Sequence, residues 1–170
     1  MAGAAEAIRI EPLSDRHDRE SFASGAPPLD RYLRHQAGQD ARRRIASCFV
    51  LVGDGDRIAI GYYTLAATSI VLAELPDALA RRLPRYPVVP ATLMGRLAID
   101  ARHQRQGHGE LMLLDAFGRA LRNEIASYAF VVDAKDDKAT RFYLRYRFRY
   151  LVAGGQRLFV PMAEIAKLFS

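Results

Sequence analysis

The sequence has 170 residues, of which 50% are hydrophobic and 26% are charged, proportions that suit one globular domain with its own core. These proportions exclude a disordered chain or a collagen-like repeat. The single cysteine excludes an internal disulfide, and no apolar run approaches the ~18–20 residues that span a bilayer. Lysine and arginine total 25 against 19 acidic residues, and this net charge of +6 suggests a polyanionic partner: a nucleic acid, a phosphorylated cofactor or an anionic membrane surface.

The first residues lack the apolar core of a signal peptide, so we expect a single domain over residues 1–170, located in the cytoplasm. Alternating apolar and polar residues predict a first strand at 8–13. Two prolines then open a helix at Pro27 that passes Gln36 and ends in the arginines 42–44. The apolar run 47–52 predicts a buried strand, followed by a hairpin turn at 53–56 and a partner strand from 57 to 65.

Prolines between 76 and 90 bracket a short predicted helix that carries Arg81, Arg82 and Arg85. A third central strand is predicted at 92–100, and a long helix follows from Gly109. Its apolar positions recur at helical spacing, at Leu111, Leu114, Leu121 and Ile125, with Ala116 and Phe117 alongside. The remaining predicted elements are a buried strand at 129–134, a helix through 139–143, and strands near 149–151 and 158–160. Hairpin strands first and a βαβ unit later indicate an α/β fold with a mixed sheet in three layers.

The segment Gln104–Gly109 lies between the third central strand and the long helix. Its glycines allow a tight turn, and the first N–H groups of a helix have no intrahelical partners, so the loop suits a pyrophosphate. It is neither a dinucleotide fingerprint, since Met112 occupies the place of the third glycine, nor a P-loop. The alternative is that the two glycines only form a strand-to-helix turn.

Arg96–Asp100 and Gln104–Gly109, followed by a long helix, resemble the acetyl-coenzyme A signature of the GNAT superfamily of N-acetyltransferases, Gln/Arg-x-x-Gly-x-Gly/Ala after a hydrophobic strand. The segment Ala139–Phe148 is similar to the closing helix of that superfamily, Ala-x-x-Phe-Tyr-x-x-x-Gly-Phe. Arg147 replaces the usual glycine, so we expect altered geometry in the turn, and Asp136 stands where many members carry asparagine. The resemblance implies a central mixed, mostly antiparallel twisted β-sheet flanked by helices on both faces.

The similarity extends to the GNAT toxins of bacterial type II toxin–antitoxin systems and covers the chain from about Leu13 to Phe169. The segments that carry it are 30–33, 60–65, 83–90, 95–100, 132–135 and 157–159. It implies an enzyme that acetylates the α-amino group of aminoacyl-tRNA and so blocks translation. It also implies neutralisation by a ribbon-helix-helix antitoxin and a possible homodimer, with no membrane partner.

Acetyl transfer to an amine requires a neutral amine, stabilisation of the oxyanion and a proton for the departing thiolate. A free α-amino group titrates near ~7.7–8, and that of an esterified amino acid lies lower because its carboxylate is masked. Much of the amine is therefore already neutral, so the reaction need not require a dedicated general base. Backbone N–H groups near Leu97–Ile99 can polarise the thioester carbonyl. The superfamily places its general acid at the tyrosine of Phe-Tyr, which is Tyr143 here. The residues predicted to bind acetyl-coenzyme A are Leu97, Ala98, Ile99, Gln104, Arg105, Gln106, Gly107, His108, Gly109 and Glu110.

Three basic clusters are candidates for phosphate contacts with the tRNA acceptor stem. They consist of Arg42, Arg43 and Arg44, of Arg81, Arg82 and Arg85, and of Arg141 and Arg145. The last pair is four residues apart on a predicted helix and therefore shares a face. Solvated surface is the alternative for each arginine, and the pair could also receive the acidic tail of an antitoxin.

Two other functions remain open at this point. One is a GNAT enzyme that acetylates a small amine, a polyamine or a protein N-terminus, and the other is a module that binds coenzyme A, tRNA or antitoxin without turnover. No spacing of histidine, cysteine and carboxylates predicts a metal site. Cys48 is interpreted as a core residue, and His17 and His35 as surface residues.

Overall fold

A computed structural model describes residues 7–53 and 55–170, so part of the predicted turn at 53–56 lies outside the described residues. The strands are β1 (Ile8–Pro12), β2 (Ser47–Gly53), β3 (Gly61–Val71), β4 (Val88–Ile99), β5 (Ala129–Asp133), β6 (Arg149–Tyr150) and β7 (Arg157–Pro161). The α-helices are α1 (Pro27–His35), α2 (Ala37–Arg42), α3 (Asp77–Ala80), α4 (His108–Arg122), α5 (Asp137–Leu144) and α6 (Met162–Leu168).

The strands form one sheet in the order β1-β2-β3-β4-β5-β7-β6. Strand β2 pairs antiparallel with β1 and β3, and β7 pairs antiparallel with β5 and β6. The β4–β5 pair is parallel, with Ala91–Met94 opposite Ala129–Val132. This confirms the mixed, mostly antiparallel sheet of an α/β fold. None of the helices in the described residues has the length and apolar character needed to cross a bilayer.

The described chain divides into two compact units, the first of which contains the residues up to Ala66 together with Arg96–Ala116. Its core is aromatic: Tyr62 is fully buried, stacks on Tyr32 at 6.2 Å between ring centroids, and meets Phe22 edge-on at 5.7 Å. The Tyr62 hydroxyl donates a 2.7 Å hydrogen bond to the Leu29 carbonyl, so its polar end is satisfied inside the core. Cys48 is a buried free thiol in this cluster, which confirms its interpretation as a core residue.

The second unit contains Ala67–Gly95 and Phe117–Ser170. One of its clusters joins buried aliphatic residues of β3, β4 and β5 to Phe159 of β7. A second set of contacts is aromatic: the Phe117 ring meets Phe130 edge-on at 4.9 Å and lies 5.9 Å from Phe148. Tyr143 of α5 contacts the same Phe148 ring at 5.3 Å. Strand β5 is buried at all of its first four positions, as its continuous apolar run predicts.

Several predicted boundaries are wrong. The helix from Pro27 is interrupted at Gln36, whose φ of −120° leaves the helical region, so α1 and α2 are separate. The strand predicted to begin at 57 begins at Gly61 instead, because Asp18 pairs with Arg57 and Ala59 through backbone hydrogen bonds. Strand β4 begins at Val88, four residues before the predicted start, since Leu72 N–H donates to Pro87 O at the base of the excursion.

The residues assigned to the helices in the prediction also need correction. Helix α3 ends at Ala80, so Arg81, Arg82 and Arg85 follow it rather than lying on it. In α4 the predicted Ala116 and Phe117 are buried, as are Met112, Leu113 and Ala120, whereas the predicted Leu111 and Leu114 are exposed and Ile125 lies beyond the helix end. Helix α6 has no counterpart in the prediction.

His17 is buried, contrary to the prediction. Its Nδ1 accepts a hydrogen bond from the Ser14 backbone N–H at 2.9 Å, and its Nε2 lies 2.7 Å from Glu11 Oε1. The first contact requires an unprotonated Nδ1, so the ring donates from Nε2 to the carboxylate. His17 therefore ties the turn after β1 to the strand itself, a structural role that its spacing in the sequence does not reveal.

Candidate functional site

The connection from β4 to the loop predicted to bind pyrophosphate begins at Asp100, which is 1% exposed. Its carboxylate accepts hydrogen bonds from the Ala23 N–H at 3.1 Å and from the backbone N–H and Nε of Arg102, both at 2.9 Å. Burial opposes the charged form of Asp100, but these hydrogen bonds outweigh it and lower its pKa to about 2. A buried carboxylate thus anchors the start of the loop.

Gln104 fixes the next part of the loop. Its side-chain amide donates to the carbonyls of Ser24 and Ile99, each at 2.9 Å. The side chain is therefore occupied within the protein and positions the loop against β4. Through this contact the structure brings together the two predicted cofactor segments, 97–99 and 104–110.

The rest of the loop is open to solvent. Arg105, Gln106 and Gly107 are exposed, and two of them have left-handed backbone conformations, with φ of +63° at Arg105 and +82° at Gly107. Helix α4 begins at His108, and its first i→i−4 bond runs from Leu111 N–H to Gly107 O at 3.1 Å. The N–H groups of His108, Gly109 and Glu110 therefore have no intrahelical acceptor, which is the donor arrangement that binds an anion at a helix N-terminus.

Two histidines flank this loop, with the rings of His103 and His108 6.4 Å apart. Burial lowers the pKa of His108, and the neighbouring His103 lowers it further. The His108 ring is consequently neutral at pH 7 and contributes polar contacts rather than charge.

The second predicted segment is the end of β4. Its pairing with β5 ends at Met94, and the strand continues to Ile99. Asp100 N–H donates to Ile60 O at 2.7 Å, toward the β3 side. Backbone N–H groups point alternately to the two edges of a strand, so those of Leu97 and Ile99 point to the edge away from β3. A carbonyl oxygen at that edge can accept hydrogen bonds from them.

Tyr143 lies on α5 in the second unit and is 7% exposed. Burial raises its pKa well above the ordinary value of a tyrosine, so the hydroxyl keeps its proton at any physiological pH. Its ring is held by Phe142 and Phe148, both at 5.3 Å between centroids. The hydroxyl has no hydrogen-bond partner among the described residues, and it is not sealed from solvent. It is thus a protonated donor available to a ligand.

The two departures from the GNAT pattern both retain local geometry. Asp136 caps α5, and its carboxylate accepts a hydrogen bond from Ala139 N–H at 2.7 Å, which an asparagine oxygen could equally accept. Arg147 has a φ of +71°, the left-handed conformation that a glycine adopts without strain. The expectation of an altered turn at Arg147 is therefore not supported, because the arginine takes the backbone conformation that suits glycine.

All eight arginines predicted to contact tRNA are exposed. Arg42 ends α2 and is followed by Arg43 and by Arg44, whose φ is +59°. Arg141 lies on α5, and Arg145 is its C-cap with the guanidinium 5.7 Å from the Phe142 ring centre. The first cluster belongs to the first unit and the other two belong to the second.

Sequence reasoning missed the environment of Arg96, to which the prediction gave no role beyond its motif. Its guanidinium carbon lies 3.5 Å from the centre of the Tyr32 ring. A polar residue one position before the strand segment 97–99 was the available signal. No group of three or more histidine, cysteine or carboxylate side chains in the described residues could hold a metal ion.

Comparison with protein families finds no family model that matches the chain. A tRNA-acetylating toxin of Mycobacterium tuberculosis is 38% identical over 138 residues, covering 80% of this chain and 81% of that protein. The chain belongs to the tRNA-acetylating GNAT toxins. A second member of the family, the probable toxin TacT of Sinorhizobium fredii, is 28% identical over 176 residues, covering 98% of this chain and 97% of that protein.

Solved structures of GNAT toxins have the same fold. A tyrosine-to-phenylalanine mutant of KacT superposes with a TM-score of 0.90 at 30% identity, covering 96% of this chain and all of that one. AtaT complexed with acetyl-methionyl-tRNA has a TM-score of 0.88 at 29% identity over 96% of this chain and 99% of that one. AtaTR bound with acetyl-coenzyme A gives 0.85 at 28% identity over the same shares of the two chains. Other AtaT structures hold the C-terminus of the antitoxin AtaR.

Proposed function

We propose that this protein transfers an acetyl group from acetyl-coenzyme A to the α-amino group of aminoacyl-tRNA and acts as the toxin of a toxin–antitoxin pair. The observation that carries the proposal is the 38% identity to a tRNA-acetylating toxin over four fifths of the chain. The related AtaT complexed with acetyl-methionyl-tRNA supports the choice of acceptor.

The loop fits the phosphates of acetyl-coenzyme A. The exposed backbone of Arg105, Gln106 and Gly107 and the unpaired N–H groups of His108, Gly109 and Glu110 form a donor set at the positive end of the α4 dipole. A Cβ at Gly107 would meet no atom within 4 Å, so the space in front of the loop is open. Acetyl-coenzyme A supplies an acetyl thioester, whose carbonyl carbon is open to attack by an amine.

The end of β4 orients that carbonyl. Leu97 and Ile99 present their N–H groups at the edge facing away from β3, and Ala98 is the buried residue between them. Fixed backbone donors stabilise an oxygen as it gains negative charge, because they need not reorient during the reaction. Gln104 holds this segment through its hydrogen bond to the Ile99 carbonyl.

Tyr143 holds the proton that the departing thiolate requires. With its pKa raised by burial, the hydroxyl is a hydrogen-bond donor to the developing thiolate rather than a strong acid. The attacking amine gives up a proton as the amide forms, and this proton balances the one that the thiol gains. The solved structures of the related toxins KacT and AtaT include mutants in which a tyrosine is replaced by phenylalanine, and this supports a tyrosine as the residue to test.

The exposed arginines bind the acceptor RNA. Arg42, Arg43 and Arg44 contact backbone phosphates, as do the clusters at 81–85 and 141–145, since phosphate contacts carry most of the affinity for RNA and need no sequence reading. The antitoxin is of the ribbon-helix-helix type, the toxin forms a homodimer, and the chain works as one GNAT domain. Aminoacyl-tRNA is a cytoplasmic substrate, which places the protein in the cytoplasm.

The decisive experiment is transfer of labelled acetyl from acetyl-coenzyme A to total charged tRNA. We expect label on the aminoacyl group with the wild type and a loss of kcat of about 10²–10⁴-fold in Tyr143→Phe, the range typical of a general acid. Tyr150→Phe, an exposed tyrosine of the same unit, is the matched control and should retain full activity.

Each alternative function has its own outcome in this assay. Label on polyamines or protein N-termini but not on charged tRNA would make the protein a different GNAT enzyme. Binding of acetyl-coenzyme A without turnover on any amine would make it a binding module. Full activity of Tyr143→Phe would leave the proposed function in place and show that Tyr143 is not the general acid.

A further inference from the structure

Arg96 and Tyr32 form a stacked pair in the first unit. The half-buried guanidinium of Arg96 lies over the Tyr32 ring, with 3.5 Å between Cζ and the ring centre. The Tyr32 hydroxyl donates to Asp40 Oδ2 at 2.7 Å, and the Gln36 amide donates to the other oxygen of the same carboxylate at 2.8 Å. Since Tyr32 lies on α1 and Asp40 on α2, this hydrogen bonding between the two helices fixes the Tyr32 ring beneath the guanidinium.

The donors of this guanidinium are unused. Arg19 and Arg34, the other half-buried arginines around α1, donate to the carbonyls of Leu33 and Phe22 at 3.0 and 2.6 Å. Arg96 forms no hydrogen bond or ion pair with any described residue, and none of its nitrogen atoms is sealed from solvent. The plane of this guanidinium is fixed and its N–H groups are free. Such a group can bind a phosphate or a carboxylate through two parallel hydrogen bonds.

The position of Arg96 on β4 indicates which substrate it meets. Side chains alternate along a strand, so Arg96 shares a face with Ala98, which packs with Tyr32 and Tyr62. Ile99 lies on the other face, where its Cδ1 and the Met112 sulfur of α4 both approach Gly61. The proposed cofactor loop leads into α4 on that second face. Arg96 therefore lies on the face of β4 opposite to Ile99, Met112 and the cofactor loop.

We infer that Arg96 binds the 5′-phosphate of the terminal, aminoacylated nucleotide of the acceptor and so positions its α-amino group for attack. This inference rests on the proposed function. In aminoacyl-tRNA, only the ribose and the ester-linked amino acid separate that phosphate from the reacting amine. Arg96 is one residue from Leu97, whose N–H is proposed to hold the thioester oxygen, so one side chain spans from the reacting centre to the phosphate. Recognition of this phosphate distinguishes a nucleic-acid acceptor from a free amine.

The experiment compares two minimal acceptors: an adenosine carrying an amide-linked amino acid on its 3′ carbon, with and without a 5′-phosphate. Both carry the amino acid that the wild type acetylates best on total charged tRNA. We expect the wild type to favour the phosphorylated acceptor by about 10-fold or more in kcat/KM, from the ~1.5–3 kcal/mol of a hydrogen bond to a charged group. Arg96→Gln should remove this preference while leaving activity on the unphosphorylated acceptor and affinity for acetyl-coenzyme A within about twofold of the wild type.

Two further variants test the stack itself. Tyr32→Phe keeps the ring and should keep most of the phosphate preference, whereas Tyr32→Leu removes the platform and should lose much of it. Arg31→Gln, an exposed neighbour on α1, is the charge-matched control and should leave the preference unchanged.

The inference is wrong if Arg96→Gln lowers kcat/KM equally for both acceptors, or if the wild type shows no phosphate preference while acetylating charged tRNA. Failure of the proposed function gives a different result, because the wild type would then acetylate neither charged tRNA nor either minimal acceptor. Thermal unfolding of each variant separates loss of binding from loss of folding.

Discussion

Asp100 carries a negative charge at a position that is 1% exposed, where the Ala23 N–H and the backbone N–H, Nε and Nη2 of Arg102 donate four hydrogen bonds to it. Its lowered pKa means that folding favours the ionised form. The resulting stabilisation is fully present above the unfolded pKa of ~3.9 and is lost as the pH falls through the folded value.

From this lowered pKa we expect Asp100→Asn to reduce the free energy of unfolding at pH 7 by about 2 kcal/mol, the equivalent of a shift from 3.8 to about 2. The difference in stability between wild type and variant should shrink by about the same amount as the pH falls from 4 to 2, since the other carboxylates titrate equally in both. Urea unfolding at pH 7, 4 and 2.5 measures both effects. The control is Asp133→Asn, which breaks an exposed pair with Arg157 and should cost less than about 1 kcal/mol.

Single residues also mark where sequence reasoning succeeded. The tight turn at Gly107 and the buried Cys48 follow from local rules about turns and apolar runs. Arg96 and His17 could not be predicted in this way, because their partners Tyr32 and Glu11 are selected by tertiary packing.

At the scale of elements, β5 and the start of α4 were predictable because their patterns are continuous. The buried face of α4 was not, since leucine and methionine recur on two adjacent stripes of the helix and only packing decides between them. The start of β3 was misplaced because residues 57–60 have strand-like sequence but bond to Asp18. Helix α6 was missed because it follows β7 without a turn signal.

Strands β3 and β4 approach each other closely at Gly61. A Cβ at Gly61 would lie 2.7 Å from Ile99 Cδ1 and 3.1 Å from both the Ala98 carbonyl oxygen and the Met112 sulfur. A side chain there requires the tip of Ile99 to move and the Ala98 carbonyl and the Met112 sulfur to shift by a few tenths of an ångström, which disturbs the end of β4 that carries the N–H groups of Leu97 and Ile99.

We therefore expect Gly61→Ala to lower the free energy of unfolding by about 1–3 kcal/mol through overpacking, and to reduce kcat for acetyl transfer more than the affinity for acetyl-coenzyme A. Denaturant unfolding and steady-state kinetics measure the two effects. Gly53→Ala at the end of β2 is the control, because its Cβ would meet its nearest neighbour at an ordinary 3.7 Å. Unchanged stability of Gly61→Ala would show that β4 can move aside without cost.

At the scale of the whole molecule, the positive charge is carried almost entirely by arginine. Some of these arginines are structural, such as Arg157, which forms two hydrogen bonds with Asp133, while the eight predicted to bind tRNA are exposed. The net charge and the arginine clusters could be predicted from the sequence. Which guanidinium groups are paired with carboxylates could not, because the partners are brought together by the fold.

Binding of charged tRNA should weaken steeply with salt, because each phosphate contact releases counterions. We expect replacement of Arg42, Arg43 and Arg44 by glutamine to lower the affinity and to reduce the slope of log K against log salt by about 0.7–0.9 for each phosphate that the variant no longer binds. Filter binding across a salt series measures the slope. Arg157→Gln should leave the slope nearly unchanged, and an unchanged slope in the triple variant would assign the cluster to solvated surface.

The chain has one cysteine, and its thiol is buried in the core of the first unit. Burial raises the pKa of Cys48 to about 12, so almost none of it is thiolate at neutral pH. A chromogenic disulfide reagent added to the folded protein will therefore find no reactive sulfur on the enzyme, and free coenzyme A will be the sole source of colour. Acetyl transfer can be followed continuously in this way, and a slow rise in the blank will report unfolding.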